Sequence, residues 1–153
     1  MRYLAISKTP YYVAYAFFKG VELHQWGSVK LTEPKESKRL LEWEQIVVDM
    51  VHDLKPQFLL THLLDKERIM KKDLERIIEI RTILKLVSEK NNVMYNEFKT
   101  SGWEKRITNN RATDKKKIKI IRDGYDIEID DVEVANAIIL AEGVAHNRLQ
   151  IGK

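Results

Sequence analysis

The sequence contains no cysteine. Disulfides and thiolate zinc sites are therefore excluded, and the expected setting is a reducing cytoplasm. Its 4 histidines are scattered, without the spacing of a metal-ligand motif. Long apolar runs are also missing, which argues against a membrane partner. The nearest candidate, Tyr11 to Phe18, is eight residues long, aromatic-rich and preceded by Pro10, so a strand fits it better than a signal peptide. There is no internal repeat, low-complexity tract or linker, and residues 1–153 read as one domain.

What is present is a globular composition, 44% hydrophobic and 33% charged. Lys and Arg exceed Asp and Glu only modestly, 27 to 23, but the excess is concentrated. Between 105 and 122 stand Lys105, Arg106, Arg111, Lys115, Lys116, Lys117, Lys119 and Arg122, against the single acid Asp114. Such a run suits a phosphate backbone. Trp103 and Tyr125 flank it and could pack on sugar or base. A solvated helix face with Ile118 and Ile121 turned inward would produce the same pattern.

Three short β-rich segments, Arg2 to Ile6, Tyr11 to Phe18 and Val21 to Leu31, are joined by links that allow only antiparallel neighbours. After Pro34, the residues Leu40, Leu41, Trp43, Val47, Met50, Val51 and Leu54 recur at helical spacing until Pro56. Gln57 to His62 is strand-like, and a helical crossover places it parallel to the first strand. A long helix follows from about Lys66 to Lys90, with Met70, Leu74, Ile77, Ile78, Leu84 and Val87 as its stripe and Ile69, Ile80 and Ile83 off it. Val93 to Phe98 is the fifth strand. Thr113 caps a helix reaching Arg122 and stopped by Asp123-Gly124, and Asp130 caps a last, buried helix from Val132 to about His146. This order predicts an α/β fold of ribonuclease H-like type: a five-stranded mixed sheet, first three strands antiparallel, last two parallel to the first, flanked by helices.

Several landmarks sharpen that plan. Pro56 precedes Gln57-Phe58-Leu59-Leu60-Thr61-His62; Trp103-Glu104-Lys105-Arg106 and Asn109-Asn110 precede Ala112-Thr113-Asp114-Lys115-Lys116-Lys117; and Asp130-Asp131-Val132-Glu133-Val134-Ala135-Asn136-Ala137-Ile138-Ile139 closes the chain's ordered pattern. Together they resemble the RuvC family of Holliday-junction resolvases. The resemblance implies homodimers that pair through helices, a phosphate-contacting lysine at Lys115 or Lys116, and carboxylates from three elements holding two magnesium ions about 4 Å apart.

The sequence departs from the family at those carboxylates. Ser7, followed by Lys8, stands where the first strand should end in Asp; His62, or Thr61 one step earlier, stands for the strand-end Glu; Asn136 stands for the last Asp. Only Glu133, with Asp130 or Asp131, retains negative charge, and Asp130 with Glu133 also has the spacing of a capping box. The expectation is a catalytically degenerate protein that binds branched or duplex DNA without a cofactor, two copies pairing through the long helix. Its rivals are a Mg²⁺- or Mn²⁺-dependent nuclease with a rearranged ligand set, Asp130, Asp131, Glu133 and His62, and a protein-interaction module of the same fold.

Overall fold

The computed structural model describes residues 1–63, 71–99 and 113–146. Five strands, β1 (Arg2–Lys8), β2 (Tyr12–Lys19), β3 (Glu22–Lys30), β4 (Phe58–His62) and β5 (Met94–Phe98), form one sheet in the order β3-β2-β1-β4-β5. The first three are antiparallel, and β4 and β5 run parallel to β1. The helices are α1 (Glu36–Leu54), α2 (Lys71–Lys90), α3 (Asp114–Tyr125) and α4 (Val132–Ala145). The predicted architecture is the observed one.

Both faces of the sheet are covered, which is why β1 is an almost unbroken apolar run. Alternation sends Tyr3 and Ala5 to one layer, with Ala14, Ala16, Phe18, Leu60 and the residues of α4. It sends Leu4 and Ile6 to the other, with Val13, Phe17, Leu59, Trp43, Val47, Ile80 and Leu84. The small residues Ala5, Ala14 and Ala16 face Ala135, Ala137 and Ala141, so α4 can lie close on the sheet and be buried nearly all round. Trp43 anchors the opposite layer, and its Nε1 donates to the Thr9 carbonyl at 3.1 Å.

Three local expectations are corrected. In α2 the buried line is Ile77, Ile80, Leu84 and Val87, whereas Ile78 is 41% exposed. Steps of three, four and three residues hold one face to the sheet, and Ile78 lies about 100° round from Ile77; Met70 falls outside the described residues. Helix α3 passes Gly124 and ends where Asp126 adopts the left-handed conformation, φ 54°. Helix α4 is capped by Asp131, which accepts from the Glu133 backbone N–H at 2.8 Å; Asp130 is exposed. Among the described residues no helix is long and apolar enough to cross a membrane.

Candidate functional site

Strands β1 and β4 deliver their last residues to the same edge of the sheet. Their parallel register pairs Tyr3 with Phe58, Leu4 with Leu59 and Ala5 with Leu60, and the same step carried forward brings Ser7 alongside His62. By alternation both residues lie on the α3 and α4 side. Fully buried Ser7 donates its hydroxyl to Glu133 Oε2. The start of α4 is held by a second contact, in which the Tyr12 hydroxyl donates to Asp131 Oδ1 at 3.1 Å. That oxygen also serves the cap of α4, so Asp131 is engaged twice. Asn136 lies one turn beyond Glu133, and its Oδ1 is buried without a hydrogen-bond partner among the described residues.

Positive charge approaches this edge from both sides. Lys117 of α3 is 6% exposed, and Lys8 is 4% exposed on the opposite face of β1. Burial, reinforced by the charges of Lys8 and Lys117, lowers the pKa of His62 from 6.5 to about 4, so the ring is neutral at pH 7. Burial lowers Lys8 to about 8; Glu97 opposes that shift, while Arg81 and Lys85 add to it. Tyr12 is raised above its ordinary value by burial and by the Asp131 carboxylate it serves. A histidine between two ammonium groups is a poor place to hold a proton.

The structure thus brings Ser7 against Glu133 and puts His62 in the field of Lys8 and Lys117. It leaves Asp130 exposed beyond the cap, and Lys115, Lys116 and Lys119 exposed along the outer face of α3. Trp103, Lys105, Arg106 and Arg111 lie outside the described residues. In the sequence Lys117 reads as one more surface cation; it faces inward with Ile121 because the two are four residues apart on one helical face. No sequence pattern singles out Tyr12, or the group of Tyr95, Glu97, Arg81 and Lys85. For Lys8 a signal exists, since it continues the parity of Leu4 and Ile6 in a doubly covered strand.

The magnesium pair that the resemblance implies is not matched by these side chains. Magnesium needs several hard, anionic oxygens in octahedral geometry. Among the described residues Glu133 is the carboxylate that meets Ser7 on β1, and one of its oxygens is already bonded to that hydroxyl. Oδ1 of Asp131 is taken by the cap and by Tyr12, and the charges acting on His62 at this edge include the ammonium groups of Lys8 and Lys117. Among the described residues, no three of His, Asp and Glu gather in a way that could hold a metal ion.

No protein-family model and no curated protein matches this sequence. Solved structures do match in shape. Thermus thermophilus RuvC in complex with a Holliday junction substrate superposes with a TM-score of 0.79 at 12% identity, over 97% of this chain and 95% of that one. Another structure of Thermus thermophilus RuvC gives 0.78 at 13% identity, over 97% and 96%. The yeast mitochondrial Holliday junction resolvase gives 0.66 at 14%, over 94% of this chain and 77% of that one. The chain has the ribonuclease H-like fold of the RuvC resolvases.

Proposed function

We propose that this protein binds structured or branched DNA as a catalytically degenerate relative in form of the RuvC resolvases, and does not cut it by two-metal hydrolysis. The observation that carries this reading is the hydrogen bond from Ser7 to Glu133, where two carboxylates facing each other would create the demand for a cation. A hydroxyl satisfies Glu133 without a metal. His62 and Asn136 add no anionic charge, and Lys8 and Lys117 bring positive charge to His62.

The binding part rests on charge and on shape. Lys115, Lys116 and Lys119 present an exposed basic face on α3, which packs on the helix that carries Glu133. One of the solved structures of the same shape holds a Holliday junction substrate. Two copies would pair through α2, where Ile78, Thr82 and Leu86 are exposed at four-residue steps.

Labelled four-way junctions incubated with the protein in Mg²⁺ or Mn²⁺ test this directly. Salt-sensitive binding without nicking is expected, with affinity reduced at least tenfold in Lys115→Glu/Lys116→Glu. Specific nicking that disappears in Glu133→Ala would overturn the proposal in favour of a rearranged nuclease. No affinity for duplex, branched or single-stranded nucleic acid at low salt would favour a protein-interaction module.

A further inference from the structure

A second polar cluster occupies the same edge on the other face of the sheet, away from Ser7 and Glu133. Lys8, Thr61 and Glu97 are placed there by strand alternation, Thr61 and Glu97 being register partners across β4 and β5. From α2, Arg81 Nε donates to Glu97 Oε1 at 2.7 Å, and Lys85 Nζ lies 3.9 Å from the same oxygen. Burial works to raise the Glu97 carboxyl, but the Arg81 hydrogen bond and the charge of Lys8 override it and hold the group below its usual range. Three cations therefore surround one carboxylate that is already neutralised.

Two donors of the cluster have no acceptor in place among the described residues. Lys8 Nζ and Thr61 Oγ1 are both buried without a hydrogen-bond partner among the described residues. Glu97 Oε2 is the nearby acceptor left over, and a bridging water could join it to one N–H of Lys8. An ammonium has three N–H groups, and among the described residues none of those of Lys8 has an acceptor in place. A buried cation without acceptors destabilises a fold, and its retention is explained if a ligand supplies them. The side chains of Arg81 and Lys85 remain 35% and 48% exposed, which opens the cluster toward solvent along α2. It also lies at the carboxyl ends of parallel strands, where open α/β sheets bind ligands.

We propose that Lys8 and Thr61, with Arg81 and Lys85 around them, form an oxyanion site that takes a phosphate group. The ligand oxygens accept from Lys8 Nζ and Thr61 Oγ1, while Glu97 keeps Arg81 and Lys85 in place. The proposed DNA binding enters only as one of two sources of that group, the phosphodiester of a bound strand; the other is free phosphate.

The test uses the whole protein and two variants, Lys8→Met and Thr61→Val. Thermal unfolding is followed against inorganic phosphate at constant ionic strength, with chloride as the control, and junction affinity is measured against salt. Phosphate is expected to raise the wild-type Tm, to leave that of Lys8→Met unchanged, and to have a reduced effect on Thr61→Val. If a DNA strand supplies the phosphate, Lys8→Met also weakens binding about tenfold and lowers the salt slope by about 0.9. Should Lys8→Met not fold, Thr61→Val decides, because it retains shape and charge and removes one donor. Phosphate stabilisation that persists in both variants overturns the site, as does a wild type that neither responds to phosphate nor loses DNA affinity on either change. A Lys8-dependent phosphate response without DNA binding keeps the site and removes the DNA reading. DNA binding that depends on Lys115 and Lys116 but ignores Lys8 and Thr61, with no phosphate response, does the reverse.

Discussion

Acidification should destabilise this protein through His62 before its carboxylates titrate. The folded state holds the ring near pKa 4, by burial and by Lys8 and Lys117, whereas the unfolded chain restores 6.5. The unfolded state therefore binds the proton first as pH falls. The stability associated with neutral His62 is complete above pH 6.5 and drains away between 6.5 and 4. With each tenfold in affinity worth about 1.4 kcal/mol, the loss is roughly 1.4 kcal/mol at pH 5.5 and roughly 2.5 kcal/mol at pH 4.5. Urea unfolding at pH 7.0, 5.5 and 4.5 measures it, and His62→Gln supplies the reference in which Glu97 and the other carboxylates still titrate. Wild-type stability should fall by those amounts more than the stability of His62→Gln does. Parallel pH profiles, or an imidazole resonance titrating near 6.5 in the folded protein, would refute the placement of His62 between the two lysines.

Lys8 acts at the other end of the scale. Its folded pKa of about 8 lies below its ordinary 10.5, so the unfolded chain holds the proton longer and wild-type stability should rise from pH 8 to 10.5. Lys8→Met should be more stable than wild type at pH 7 by up to about 3 kcal/mol, and the gap should close by pH 10.5; denaturant curves at both pH values check this. Ser7→Asp puts a carboxylate against Glu133 and should cost about 3 kcal/mol, part of which 10 mM Mg²⁺ restores in a thermal melt because the pair now attracts a cation. Asp131→Ala should cost about 1–2 kcal/mol through the lost cap and the lost Tyr12 bond, whereas Asp130→Ala stays within about 0.5 kcal/mol. If two copies pair through α2, Ile78→Glu with Leu86→Glu should convert a dimer to a monomer in light scattering; an unchanged mass would place the contact elsewhere.

The order of elements is legible in the sequence because each rests on a local rule. Short links force β1, β2 and β3 to be antiparallel, and a helix between strands makes β4 and β5 parallel to β1. The details that differ are those in which two local solutions are nearly equal. Asp130 and Asp131 can both cap a helix, and the tertiary bond from Tyr12 decides for Asp131. Ile78 and Ile80 are equally apolar, and only the sheet selects which of them faces inward. Gly124 and Asp126 can both stop a helix, and α3 continues to the second because Ile121 and Tyr125 both have a core to pack against.

The site is legible in its substitutions but not in its charges. Ser7, His62 and Asn136 can be set by position alone against the carboxylates that the resemblance implies. What surrounds those three positions requires the third dimension. Lys8 and Lys117 belong to different elements more than a hundred residues apart, and neither position by itself points to the other. Their common effect on His62 emerges only when β1, β4 and α3 are assembled. Divalent cations in a working two-metal site neutralise the phosphate that they hold. In this protein positive charge at the same edge is supplied by side chains, so an anion can be attracted there. Lys8 and Lys117 thus give a cationic character to the edge at which Ser7, His62 and Asn136 bring no carboxylate.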